Sequence, residues 1–178
     1  MATIREIDVQ QLTDEVIGGV VDLQRDIHMH PEIGFDTVRT AALVAEQLRA
    51  AGIETREGIG KTGVVGDIDV PGATRRIAFR ADMDALPMDE EADLPHKSTI
   101  PGAAHMCGHD AHTSMLVGAA RALAGIRDRL PCSIRFIFQP NEEHGLGAKA
   151  MMDEGLLENF PIEEIYGIHN LPGIPTGE

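Results

Sequence analysis

The sequence predicts an α/β layered fold with a sheet at its centre. Three observations predict it. Segments with apolar residues at helical spacing alternate with short apolar runs of strand length. Glycine and proline fall between these segments, where the chain must turn. Apolar residues make up 43% of the 178 positions, enough for a buried core rather than a disordered tail. That core must rest on Ile, Leu, Val, Met and Ala, because there is no Trp and one Tyr. The length suits one domain or a large piece of one.

The elements follow in order. Thr13 can cap a first helix, with Asp14 and Glu15 in its first turn and Val16, Val20, Leu23 and Ile27 as its apolar stripe. A second helix fits residues 36–52, with Val38, Ala41, Ala42, Ala45 and Leu48 on one face and Gly52 as its stop. Strands are expected at 63–70 and 75–82, with a turn at Pro71 and Gly72 between them. Residues 83–108, with prolines at 87, 95 and 101, read as a long loop, and such loops tend to be functional. A third helix starts near Asp110, its cap, with Met115, Leu116, Ala119, Ala120 and Leu123 facing inward. A strand at 132–139 ends at Pro140, a short helix at 147–155 stops at Gly155, and a last strand covers 163–170. There is no internal repeat and no flexible linker.

Charge narrows the function. A net charge of −14 repels phosphate backbones and anionic lipid, so nucleic acid and membranes are not expected partners. No apolar run approaches the roughly 18 residues of a membrane span. The first residues lack the basic-then-apolar pattern of a secretory signal, so the expected location is the cytoplasm. There, Cys107 and Cys132 stay reduced rather than bridge.

The polar residues fall at telling places. The strand with Ile77 and Phe79 runs into Asp82 and Asp84. The strand with Ile134, Phe136 and Phe138 runs into Glu142 and Glu143. The strand with Ile165 and Ile168 runs into His169. Ligands of open α/β sheets bind beyond the carboxyl ends of the strands. The cluster HMCGHDAH, residues 105–112, opens a helix beside the same edge. Asp82, Cys107, His109, Glu142, Glu143 and His169 thus form a mixed thiolate, imidazole and carboxylate set. Such donors suit Zn, Mn, Co or Ni, whereas Ca and Mg prefer all-oxygen shells. In extended backbone, Glu142 and Glu143 point in opposite directions, leaving one carboxylate for a metal and one beside the metal's water.

Taken singly, each residue has an ordinary reading. Asp82 and Asp84 could be turn residues, the Glu142–His144 stretch a solvated turn, His169 a structural histidine and Cys107 or Cys132 a small buried hydrophobe. His28 and His30 mark a helix end before Pro31. His105 and His112 read as supports rather than ligands. The joint placement at strand ends is what points to a metal.

The stretches RADMDALPMDE, HMCGHDAHT, FQPNEEHGLGAKAM and GIHNLPGIPTGE resemble the M20 metallopeptidase family, most closely its amidohydrolase branch of hippurate hydrolases, N-acyl-amino-acid amidohydrolases and auxin-conjugate hydrolases. RDIHMHPEIGF and GIGKTGVVG are similar to the same branch. The resemblance implies a three-layer α/β/α zinc-peptidase-like catalytic domain with a central mixed sheet, incomplete in this chain. It implies two divalent metal ions (Mn, Zn, Co or Ni), with Cys107, His109, Glu143 and His169 as ligands. Glu142 would be the general base, and Asp82 a catalytic-site acid that orients a ligand. The implied reaction is hydrolysis of the amide bond of a small N-acyl amino acid.

Two positions depart from the family pattern: Asn141, where a small residue is usual, and His144, where glycine is usual. Family members are longer, continuing into a lid domain that often mediates dimers and then back into the catalytic domain. The expectation is therefore that residues 1–178 form the N-terminal part of the catalytic domain and are weakly active or inactive alone, with a homo-oligomer possible for the full-length protein. An aminopeptidase, a dipeptidase, a diaminopimelate-pathway deacylase and a non-catalytic metal-binding fragment stay open. A closed structural zinc site fits one cysteine among carboxylates poorly.

Overall fold

Residues 7–158 and 160–175 are described in the structure, a computed structural model. The first six residues and the last three of the GIHNLPGIPTGE stretch lie outside the described residues. Among the described residues, the order is α1 (Val9–Met29), α2 (Val38–Ala50), β1 (Glu54–Ile59), β2 (Gly63–Ile68), β3 (Arg76–Asp82), α3 (His109–Gly125), β4 (Ser133–Gln139), α4 (Gly147–Asp153) and β5 (Glu164–Gly167). The five strands form one mixed sheet in the order β1-β2-β4-β3-β5. β1–β2 and β2–β4 are antiparallel, while β3 is parallel to both β4 and β5. The parallel set brings the carboxyl ends of β3, β4 and β5 to one edge, with Asp82 level with Gln139.

The main core lies between the sheet and helices α2 and α3, where Val44, Leu48, Val64, Leu116, Val117, Phe136 and Phe138 are buried together. Outside them α1 packs on α3, its Val20 methyl filling the space a side chain at Gly118 would need. On the opposite face, α4 seals a smaller cluster of Val65, Ala78, Ile137, Met151 and Leu156. This is the expected α/β/α layering. β4 is buried along its whole length, as expected of the central strand.

Several local expectations are corrected. Helix α1 starts four residues before Thr13, because the Asp8 carboxylate accepts from the Gln11 amide at 3.0 Å. Thr13 instead donates to the Val9 carbonyl within the helix. In α2 the buried face is Thr40, Ala41, Val44, Ala45 and Leu48, while Val38 and Ala42 are exposed. Helix α3 starts at His109 after Gly108, whose φ of 95° is open to glycine, so Asp110 is not its cap. Met115 and Ala119 of α3 are exposed rather than inward. Strand β1, with the polar sequence ETREGI, was not signalled by alternation; it forms the outer arm of a hairpin with β2. Cys107 and Cys132 are both free thiols.

Candidate metal centre

The carboxyl ends of β3 and β4, the start of α3 and the segment after β5 meet at one place. Atoms from Cys107, His109 and Glu143 lie within 4.8 Å of one another, and so do atoms from Asp82, His109, His112 and His169. The expected residues are therefore gathered, although they span 88 positions from Asp82 to His169, counted inclusively.

His109 is the hub. It is fully buried, and its Nδ1 donates to the Asp84 backbone carbonyl at 2.8 Å. That bond fixes the tautomer and leaves the Nε2 lone pair facing the site. Nε2 stands 3.7 Å from Asp82 Oδ2, from Glu142 Oε2 and from Glu143 Oε1. These separations are too long for hydrogen bonds, but two metal–ligand bonds of about 2.1 Å sharing one ion span roughly 3–4 Å. His109 Nε2 and Glu143 Oε1 are both buried without a hydrogen-bond partner. Buried polar atoms are rarely left so, and two of them facing each other fit a cation between them. Burial pushes the His109 ring toward neutrality, but the hydrogen bond and charge of Asp84 and the charge of Asp82 outweigh it and raise its pKa.

The glutamate pair differs from expectation. Glu142 and Glu143 sit in a turn, not in extended backbone, and both carboxylates face His109. The cause is Asp84. Its carboxylate accepts from the Glu142 amide at 2.9 Å and from the Glu143 amide at 3.2 Å, and Asn141 enters the turn with φ of 51°. His144 donates from Nδ1 to the Asn141 side-chain oxygen at 2.7 Å, so the two residues that depart from the family pattern brace each other. Glu143 is the more buried of the pair, with 19% of its side chain exposed against 38% for Glu142. That leaves Glu142 nearer to water and to an arriving substrate.

Asp82 is buried and both its oxygens are engaged, Oδ2 by Arg80 Nη1 at 2.6 Å and Oδ1 by His112 Nδ1 at 2.7 Å. Burial would raise its pKa, but the hydrogen bond from His112 and the charges of His109 and Arg80 hold it down to about 2. It is a permanent anion beneath the site. Cys107 is half-buried and its Sγ lies 3.5 Å from His169 Nε2. Burial, then the neighbouring Glu143 carboxylate, pushes its thiol up to about 11. A divalent cation inverts that balance and favours the thiolate. The donors present therefore fit a resident transition metal. His169 is exposed, on the segment after β5.

Sequence reasoning treated Asp84 only as an acid at a strand end and missed its grip on both glutamate amides. The signal that could have found it is a second acid two positions beyond Asp82, the last residue of β3. His28 and Asp110, expected as a helix end and a cap, pair with each other at 2.8 Å behind the site.

Residues 78–178 match the model of peptidase family M20/M25/M40. The hippurate hydrolase of Campylobacter jejuni is 45% identical over 150 residues, which are 84% of this chain and 39% of that protein. Thermostable carboxypeptidase 1 of Saccharolobus solfataricus is 42% identical over 173 residues, 96% of this chain and 42% of that one. Among solved structures, the Bacillus subtilis YXEP protein, described as a dinuclear metal binding peptidase from the M20 family, superposes with a TM-score of 0.85 at 37% identity. The match covers 91% of this chain and 45% of that one. The chain thus spans about two-fifths of the length of the curated relatives it matches.

Proposed function

Because the chain belongs to peptidase family M20/M25/M40, we propose that the complete protein is a metal-dependent amidohydrolase that cleaves the amide bond of N-acyl amino acids. One observation carries the reading: His109 Nε2 and Glu143 Oε1, both buried and unpartnered, converge with Cys107 at the carboxyl edge of the sheet. The likeness to a hippurate hydrolase supports the substrate class, since hippurate is an N-acyl glycine.

In this reading, Cys107, His109, Glu143 and His169 would hold two divalent ions of Mn, Zn, Co or Ni. When bound, such ions polarise the amide carbonyl and lower the pKa of a water. The protein's own contribution is orientation and proton transfer. Asp84 fixes the backbone of Glu142 and Glu143, and its carbonyl fixes the His109 tautomer. Glu142, the more exposed of the pair, takes the proton from the attacking water and delivers it to the departing nitrogen. Asp82 anchors His112 and adds negative charge beside His109. We propose, further, that a lid domain and the remainder of the catalytic domain complete the site in the full-length protein, as a homo-oligomer.

The test is amine release by the full-length protein supplied with Mn, Co or Zn. N-acyl amino acids, hippurate included, are the expected substrates, and Glu142→Gln is expected to abolish release while keeping the metal. Release from unblocked dipeptides alone would move the assignment to a dipeptidase. Metal retention with no turnover of any amide would leave a binding module.

A further inference from the structure

We propose that His112 and Asn170 are positioning residues for His169: the imidazole of His112, anchored on Asp82, holds Asn170, and Asn170 sets the direction of the His169 ring. The inference rests on the reading of His169 as a metal ligand.

His169 needs such help. It follows β5, whose four residues are all exposed and which joins the sheet through β3 alone. Within these 178 residues, little of the core reaches this segment. The neighbouring side chains Ile168 and Leu171 are 71% and 65% exposed. Within this chain, the groups that can fix the ring's orientation are therefore the hydrogen bonds that reach it from buried residues.

His112 is such a residue. It is 2% exposed, and Asp82 Oδ1 accepts from its Nδ1 at 2.7 Å. Asp82 is itself held by Arg80 at 2.6 Å, so the anchor is an ion-paired, buried carboxylate. The bond from Nδ1 leaves the Nε2 lone pair directed outward, and the Asn170 backbone N–H donates to it at 3.1 Å. The Asn170 side-chain oxygen Oδ1 lies 2.8 Å from the same nitrogen and is the acceptor whenever that nitrogen carries a proton. The Asn170 carbonyl then accepts from His169 Nδ1 at 2.7 Å, which turns His169 Nε2 toward Cys107 Sγ, 3.5 Å away. An unbroken series of contacts thus runs from β3 to the exposed histidine.

Gly108 carries the same message independently. A Cβ added there would sit 2.3 Å from Asn170 Oδ1, and its φ of 95° already favours glycine. The start of α3 is therefore shaped to receive the Asn170 amide. His112 follows His109 by three positions on that helix, so both rings occupy one face. Their centroids are 5.6 Å apart, and the His112 and His169 centroids are 4.6 Å apart with the rings tilted by 58°. One turn of helix thereby supports both imidazoles of the site, His109 as a donor in its own right and His169 through His112.

The test is a Co(II) titration of the full chain stripped of metal, read by the thiolate-to-cobalt charge-transfer band and the visible d–d bands. Cys107→Ser and His169→Ala identify the binding steps that depend on each ligand. Asn170→Ala lies on an exposed segment, so its fold is expected to survive and circular dichroism checks it; His112→Gln is the buried counterpart. Both are expected to weaken the His169-dependent step by about ten- to a hundredfold, the usual effect of losing a ligand's supporting partner. The step that depends on Cys107, His109 and Glu143 should stay unchanged. Wild-type affinity in both steps for folded Asn170→Ala overturns the positioning role and leaves the metal site standing, as does equal weakening of all steps. If Cys107→Ser leaves the Co(II) spectrum unaltered, the metal-site reading falls and this inference with it.

Discussion

The two halves of the donor set are built differently. Asp82, Asp84 and His109 are at most 1% exposed and grow directly out of β3 and the start of α3. His169 and Asn170 are exposed and hang from an edge strand that joins the sheet on one side only. An apolar cleft of about 150 Å³ lined by Phe79, Met115, Tyr166 and Ile168 lies beside the second half, where the first half has packed side chains. The difference teaches that preorganisation need not be uniform. Within this chain, one half inherits its geometry from the hydrophobic core, and the other is tied down by hydrogen bonds.

The largest expected effect concerns the core-rooted half. In the full-length protein, Glu142→Gln is expected to lower kcat by about 10²–10⁴-fold, the range that general acid–base catalysis supplies. Metal content should not change, and steady-state kinetics with elemental analysis checks both. A variant as active as the wild type would remove Glu142 from the chemistry.

Stability should show the same contrast. Phe136 is fully buried on the central strand, and Phe136→Ala is expected to cost about 3–5 kcal/mol in urea denaturation. Ile168→Ala, at a position 71% exposed in the 178-residue chain, should stay within about 0.5 kcal/mol when that chain is unfolded. Similar losses at the two positions would erase the distinction between core and edge.

Asp84→Asn sharpens the comparison within the core-rooted half. An amide offers one acceptor oxygen where the carboxylate serves two backbone amides. The expected result is a metal affinity lower by about ten- to a hundredfold, in every binding step, unlike the single step affected at Asn170. Isothermal titration with Mn or Co distinguishes the two patterns.

The smallest effect lies behind the site. His28 Nδ1 pairs with Asp110 at 2.8 Å and its Nε2 with Glu90 at 3.2 Å, fastening α1 to the first turn of α3. The His96 and His105 rings pack beside it. The Asp110 hydrogen bond raises the His28 pKa, more than burial lowers it, with Glu90 adding to the rise. A raised folded-state value means the pairing stabilises fully below the ordinary value of about 6.5 and fades as pH rises through the folded value. His105, pushed down to about 4 by burial, stays neutral through that window. The stability difference between wild type and His28→Gln should therefore be greatest near pH 6 and shrink toward pH 9. A difference that grows with pH would contradict the assignment.

Much of this was legible in the sequence for a physical reason. Apolar runs that end in acids or histidine announce both a strand and the edge where it delivers its side chains, so Asp82, Glu142, Glu143 and His169 could be placed together before any coordinates. Other features depend on partners far along the chain. The role of Asp84 is to accept from amides about sixty residues away, and that of Asn170 is to fill a space left by Gly108. Asp84 leaves only its spacing from Asp82, and Asn170 leaves no local pattern. Strand β1 escaped because an exposed, polar edge has no apolar alternation to read. The facing of Met115 and Ala119 was misjudged because helical spacing gives a stripe's width but not which neighbour covers its margin.

The most direct test of the central claim is anomalous diffraction from crystals of the chain grown with Zn or Mn. The account predicts metal at the carboxyl edge of the sheet, with His109 Nε2 and Cys107 Sγ bonded at about 2.0–2.3 Å and Glu143 completing the contact. Metal bound only at other surface carboxylates, with Cys107 and His109 making no bond to it, would contradict the account.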